Sequence, residues 1–353
     1  MNTVLSTKPA TGTLRRVEEV TAAHVEEGLT SRLADLRLWI ASDLVEVDAA
    51  LAALEPGDTP MHGAARHLLD LGGKRLRPLC VALASRAGSG FDRVARDLAV
   101  AAELVHSATL LHDDVVDLGD RRRGAPTSRV VYGNIASIYA GDWLLVEALR
   151  RIRSTGHHDL LDRALDTLDQ MLGAEALQLA LRGTVPARAS YFEVVEGKTA
   201  SLFRWAMAAG ARAGGLDLLA SEALERYGRL VGVAFQVMDD VLDVAGDSGV
   251  VGKALFGDLR EGKITYPLLL AVERDAAFGQ WIRGVVADAD VSVDGAIVTR
   301  VLGALRDTGA VADARALARS LSDEALACLE VVPAGRARDA LADVAGALVD
   351  RRK

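Results

Sequence analysis

Apolar residues recur at three- and four-residue spacing along most of this chain, with Glu, Asp and Arg between them. That is the period of amphipathic helices. The pattern is clear over residues 14–55 and stops at "EPGDTPMHG". It then predicts a helix from about Met61 to Leu71, closed by Gly72 and Gly73, and a next helix with Pro78 at or near its first turn. After the break "RAGSGFDR", a long Ala/Leu/Val helix runs from Asp92 to about Asp117. Further helical stretches are separated by "STGHHD", "LRGTVPA", "ARAGGLD", "ADADVSVDG", "RDTGA" and "VVPAGR". No convincing strand alternation exceeds a few residues, and no Pro/Ser-rich linker divides the chain. The expectation is all-α: one helical domain over 14–353 with short connections, preceded by a flexible tail over 1–13.

Composition sharpens this picture. Half of the 353 residues are apolar but only 4% are aromatic, so the core must be built from Ala, Leu and Val. Small side chains allow close helix packing. The formal charge of -8 argues against nonspecific nucleic-acid binding. Cys80 and Cys328 lie far apart in apolar contexts and read as buried thiols of a reducing compartment. The N-terminal stretch has no signal-peptide pattern, and no apolar run is long enough to cross a bilayer. A cytoplasmic protein without stable membrane insertion is expected.

Two short phrases interrupt the apolar pattern with acid. "LLHDDVVD" at 110–117 is echoed by "QVMDDVLD" at 236–243. In a helix, Asp113 and Asp117 lie one turn apart on one face, and Asp114 is rotated away. Asp239, Asp240 and Asp243 repeat the device. Such a stripe is often simply solvated. Here largely apolar residues precede both clusters, and carboxylates near a low-dielectric wall repel unless a cation compensates. A hard divalent cation fits, and Mg²⁺ is commonly held by one or two carboxylates plus phosphate oxygens and water.

That choice predicts a polyanionic ligand, and the basic residues agree. Lys74, Arg75 and Arg77 sit in "GGKRLRP", and Arg121, Arg122 and Arg123 follow the first cluster. Lys198 lies in "EGKTASLF", and Lys253, Arg260 and Lys263 follow the second cluster. Arg forks match phosphate oxygens, while Lys supplies point charge. Taken singly, each is more often surface charge. "GGKR" lacks the spacing of a nucleotide-binding loop.

Together, "GGKRLRP", "LLHDDVVD" followed by "RRG", "GKTA", "FQVMDD" and "GKITYP" resemble, in order, the motifs of the trans-polyprenyl diphosphate synthases. The resemblance spans roughly residues 60 to 270. It implies the isoprenoid synthase fold, an all-α multi-helix bundle around a deep central cavity, usually in a homodimer. It implies condensation of isopentenyl diphosphate with an allylic diphosphate (geranyl, farnesyl or geranylgeranyl) with Mg²⁺, about three ions per active site. By the same resemblance, Asp113 and Asp117 would bind Mg²⁺ with Asp114 supporting, and Asp239 would bind a further ion with Asp240 and Asp243 close by. Arg122, Lys198, Lys253 and Lys263 would grip the allylic diphosphate. Lys74, Arg77, His106 and Arg123 would hold isopentenyl diphosphate, and Thr199 and Gln236 would line the reacting centre. His106, seven residues before Asp113, falls on nearly the same helix face; without the resemblance it reads as a core histidine. His112 reads as structural.

Ala108 and Thr109, five and four residues before Asp113, are small. In the family a bulky aromatic there makes a floor and gives short products, so the resemblance points to a long-chain product of the type that supplies quinone side chains. Trp143, Leu144 and Met171 are other candidates for the floor. "MLGAEALQL" departs from the acidic-Gly-acidic phrase of many relatives, with only Glu175 and Gln178 clearly matching. The competing readings are a geranylgeranyl diphosphate synthase, a terpene cyclase, and a noncatalytic subunit of a heteromeric synthase. A cyclase usually carries an Asn/Ser/Glu second metal motif, and noncatalytic subunits commonly lose the aspartate clusters; here both clusters are intact.

Overall fold

The computed structural model describes residues 27–54, 57–246, 255–288 and 293–349. The predicted tail over 1–13 and Lys253 lie outside the described residues. The described chain is almost entirely helical. Helices α1 (Glu27–Ala52), α2 (Pro60–Asp70) and α3 (Leu76–Arg86) lead into α4 (Arg93–Val116), which carries the first aspartate cluster. After a small hairpin come α5 (Ser128–Tyr132), α6 (Asn134–Ser154), α7 (His158–Leu181) and α8 (Arg188–Val195). A π-helical turn, Glu196–Ala200, continues into α9 (Ser201–Ala213). The second cluster lies near the end of α10 (Leu218–Ala245). Helices α11 (Gly257–Arg260), α12 (Tyr266–Arg274), α13 (Ala276–Ala287), α14 (Gly295–Thr308), α15 (Ala310–Cys328) and α16 (Arg336–Val349) follow.

Local chemistry explains where these helices begin. Asp92 accepts a hydrogen bond from the Ala95 amide at the start of α4, and Asp217 accepts from Ala220 at the start of α10. Asp275 and Asp294 cap α13 and α14 in the same way. Each side chain satisfies amides that the helix itself leaves open. Before α2, Thr59 is the cap and Pro60 occupies the first turn, where its missing N–H costs nothing.

Helix α4 is buried nearly all round: Leu98, Ala99, Ala101, Ala102, Leu104, Ala108 and Leu111 are inaccessible. Such a helix belongs at the centre of a bundle. It packs on α3, α6 and α9, and α9 also packs along α10. The two cluster-bearing helices are thus tied to one shared neighbour. Small residues make this possible: a Cβ at Gly210 of α9 would lie 2.4 Å from the Val81 carbonyl oxygen, and one at Gly228 of α10 would lie 2.7 Å from the Phe203 carbonyl oxygen. No helix among the described residues is long and apolar enough to cross a membrane.

Cys80 is buried, which pushes its thiol up to about 12, but Cys328 is only half-buried, contrary to expectation. It ends the amphipathic helix α15, whose side chains at the last turn are partly open. Gly210→Val should lower unfolding free energy by about 2–3 kcal/mol, because backbone on α3 cannot yield to the added atoms. Denaturant titration reads this as a lower midpoint at unchanged slope.

Candidate active site

The first cluster divides as helical spacing predicts. Asp113 and Asp117 face a cleft lined also by Val116, Glu175, Gln178, Arg182 and Lys263. Lys198 stands 3.8 Å from Asp113, pairs with Glu175 at 2.7 Å and donates to Gln178 Oε1 at 3.1 Å. Asp117 is bracketed by two cations, Arg182 Nη2 at 3.1 Å and Lys263 Nζ at 3.0 Å. Burial pushes the Asp113 carboxyl up to about 6, against the pull of Lys198. A carboxylate in that condition gains from a further cation.

Asp114 turns the other way. It is buried and accepts Arg122 through Nε at 3.0 Å and Nη2 at 2.8 Å. This fork ties down a hairpin in which Arg121–Arg122 pair antiparallel with Ala125–Pro126. The two linking residues, Arg123 and Gly124, have φ of 53° and 82°. Positive φ at both positions is the signature of a type I′ turn. A two-residue ladder is too short for periodicity to reveal, which is why the sequence shows no strand here. Arg122, expected at the allylic diphosphate, therefore has its fork engaged by Asp114.

The hairpin carries Arg123 to a second pole. A Cβ at Gly73 would lie 3.0 Å from Arg123 Nη2 and 3.3 Å from Glu103 Oε1. Buried Glu103 pairs with Arg75 at 2.5 Å, and Arg75 also reaches Asp48 at 2.9 Å. Arg75 adopts φ 49°, a conformation that few non-glycine residues take, while making these two bonds. Its role is structural. Arg77 lies over the Phe203 ring at 4.7 Å. His106 sits among these groups, and burial, then Arg77, Arg123, Arg122 and Arg75, hold its imidazole well below the usual range. It is neutral at pH 7 and keeps one N–H to donate. Lys74, the residue before Arg75, is half-buried.

The second cluster divides in the same way as the first. Asp240 is buried, with Oδ2 accepting from Tyr191 Oη at 2.7 Å and from the Tyr266 amide at 3.0 Å, and Oδ1 from Gln236 Nε2 at 2.9 Å. Burial still pushes its carboxyl up to about 7. Gln236 Oε1 in turn accepts from the Thr199 hydroxyl at 2.9 Å. Asp240 was expected among the metal ligands; both its oxygens are instead spent inside the protein, where an unsatisfied buried carboxylate would be costly. Asp239 is half-buried and contributes to the field on Arg77. Asp243 Oδ1 accepts the Gly257 amide at 2.8 Å and so ties α10 to the loop that delivers Lys263. Lys198 and Thr199 both lie on the π turn, an irregularity often found at functional sites.

Four site residues escaped the sequence reading. Glu103 had a signal, a lone acid one helical turn before His106 in an apolar run. Tyr266 lay inside the quoted "GKITYP" but was given no role, and Arg182 and Tyr191 had no signal, because their partners are distant in sequence. His112 is structural as expected: its ring lies against Gly141, where a Cβ would be 2.3 Å away, and its Nε2 is 3.2 Å from the Ile138 carbonyl oxygen.

No group of three or more His, Cys, Asp or Glu side chains is gathered for a metal among the described residues. The donors nevertheless fit Mg²⁺. Asp113 and Asp117 are hard oxygen ligands on one cleft, and two carboxylates are what Mg²⁺ commonly takes from protein when phosphate and water supply the rest.

Comparison with known proteins agrees with this geometry. Residues 58–294 match the family model described as polyprenyl synthetase. Heptaprenyl diphosphate synthase component 2 of Geobacillus stearothermophilus is 33% identical over 310 residues, covering 87% of this chain and 95% of that protein. Geranylgeranyl diphosphate synthase of Methanosarcina mazei is 38% identical over 236 residues, covering 65% and 73%. The crystal structure of a Caulobacter crescentus polyprenyl synthase, complexed with calcium and isoprenyl diphosphate, superposes with a TM-score of 0.84 at 34% identity, covering 90% and 97%. Motif order, helical frame and whole-chain similarity converge, and the chain belongs to the polyprenyl synthetase family, as a prenyltransferase making polyprenyl diphosphates.

Proposed function

We propose that this prenyltransferase condenses isopentenyl diphosphate with an allylic diphosphate, using Mg²⁺, and releases a long-chain polyprenyl diphosphate. One observation carries the reading. A single helix, α4, presents two separate poles suited to diphosphate. One is the cleft of Asp113, Asp117, Lys198 and Lys263, and the other groups Arg77, His106 and Arg123 around Glu103. A two-substrate reaction between diphosphates needs two such poles.

In this reading the allylic diphosphate lies at the first pole and isopentenyl diphosphate at the second, with Lys74 contributing there. Asp113, Asp117, Asp239 and Asp243 would hold Mg²⁺, which when bound would supply positive charge to offset that of the leaving diphosphate. Lys198 and Lys263 take up negative charge growing on the leaving oxygen. Thr199 donates its proton to Gln236, so its oxygen lone pairs remain for the carbon that becomes positive. The double bond of isopentenyl diphosphate attacks as the C–O bond breaks, and the departed diphosphate accepts the proton that is lost. The Ala/Leu/Val walls keep out water that would quench the cation.

Chain length is read from the helix before Asp113. Ala108 is inaccessible, and Thr109 is half-buried with its hydroxyl donated to the His106 carbonyl. Neither makes an aromatic floor, and each added isoprenoid unit gains from burial in an apolar channel. The Methanosarcina relative supports a second reading, a geranylgeranyl product. A homodimer is supported by exposed apolar side chains: Ile135 and Tyr139, four residues apart on α6, and Leu165 and Leu172, seven apart on α7. Ile135 is 74% and Leu172 70% exposed.

Purified chain, labelled isopentenyl diphosphate, Mg²⁺ and each allylic primer should give product beyond the geranylgeranyl length on reverse-phase chromatography; a clean geranylgeranyl product selects the second reading. Thr109→Phe should shorten the product, and an unchanged distribution would count against the floor. Ala108→Phe should also shorten it and cost about 1–3 kcal/mol of stability, since that site is closed. Mg²⁺ affinity should fall by about tenfold per pH unit below about 6, as protons compete for Asp113. Calorimetry in two buffers checks this as proton release at pH 5.5 that vanishes at 7.5. Sedimentation should show a dimer that Ile135→Asp with Leu172→Asp converts to monomer.

A further inference from the structure

Arg182 lies just past α7, in a stretch that reads as a plain turn, yet it lines the same cleft as Asp113 and Asp117. Its guanidinium is held from two directions. Nη2 donates to Asp117 Oδ1 at 3.1 Å, and Nε donates to the Glu261 carbonyl at 2.6 Å. The neighbouring backbone is tied as well, because the Gly183 amide donates to the Gly262 carbonyl at 2.9 Å. Gly183 and Gly262 have φ of 76° and 72°, and a Cβ on Gly262 would lie 3.3 Å from the Gly183 nitrogen. Only glycine takes that backbone at such close approach without strain. Two loops are thereby pinned together at the edge of the cleft, with Arg182 on one and Lys263 on the other.

Asp117 shares its two oxygens between these loops, one with Arg182 and the other with Lys263. Four carboxylates, those of Asp113, Asp117, Glu175 and Glu261, meet three cations there, Lys198, Lys263 and Arg182. We propose that Arg182 is a further diphosphate-binding residue of the allylic pole, an inference that rests on the function proposed above. Were Asp117 to turn to a metal ion, Nη2 of Arg182 would be freed while Nε stays on the Glu261 carbonyl. The guanidinium then remains oriented over the cleft, with its planar donors matched to phosphate oxygens. Its fixed position lowers the entropic cost of gripping the ligand.

The test compares wild type, Arg182→Gln and Arg182→Lys as full-length protein. Calorimetry with farnesyl S-thiolodiphosphate, an allylic analogue that resists ionisation, is run in Mg²⁺. The KM of each substrate and the thermal midpoint are measured in parallel. Arg182→Gln should weaken analogue binding by about tenfold, the scale of one lost charge-assisted hydrogen bond. KM for the allylic substrate should rise in step, with KM for isopentenyl diphosphate within about twofold of wild type. Arg182→Lys, which keeps charge but not the fork, should recover part of the loss; it also carries the test if the glutamine variant does not fold. Analogue affinity unchanged in both variants, or equal rises in both KM values with a lower thermal midpoint, would reduce Arg182 to a brace and overturn the proposal. Failure of the wild type itself to bind the analogue in Mg²⁺ would instead overturn the proposed function, and this inference with it.

Discussion

Carboxylates at the end of an apolar helix are the constraint to which the surrounding structure answers. Moving such groups toward a low-dielectric interior is costly, and the cost grows when several share one turn. Each aspartate of the first cluster meets a cation: Lys198 near Asp113, Arg122 on Asp114, Arg182 and Lys263 on Asp117. Those cations come from the π turn, the hairpin, the end of α7 and the loop before α12. Four distant segments are thus drawn to one end of α4.

The two DDxxD phrases share a division of labour. In each, the middle aspartate is buried and committed to the protein. Asp114 anchors the arginine hairpin, and Asp240 anchors Gln236 and, through it, Thr199. The outer residues of each phrase are more open. A rotation of about 100° per residue produces this outcome whenever the flanking positions face a cleft. The echo between the phrases is therefore an echo of architecture, with one residue buried in the frame and two on the more open side.

The second pole follows the same logic with opposite sign. Guanidinium groups crowd around His106, and Glu103 and Asp48 offset part of their repulsion. A cluster of guanidinium groups partly neutralised from behind keeps its positive charge on the open side without destabilising its own wall. Phe203 completes it by offering its ring face to Arg77.

Helix positions, the pairing of Asp113 with Asp117 and the opposite turn of Asp114 were legible in the sequence, because they depend on residues within a turn of one another. The basic motifs were legible as a set through their order along the chain. The partner of each charge was not. Arg182 and Asp117 are 65 positions apart, and Lys263 and Asp117 are 146 apart, so no local pattern links them. The commitment of Asp240 to Tyr191 and Tyr266 was hidden for the same reason, and a hairpin of two residue pairs has no period to detect. The sequence by itself determined an all-helical frame and which faces of α4 and α10 bear acid, since helical geometry is local. Only the tertiary structure decided which acids are spent inside and which stand at the cleft, since that depends on which distant cations and hydrogen-bond donors packing brings within reach.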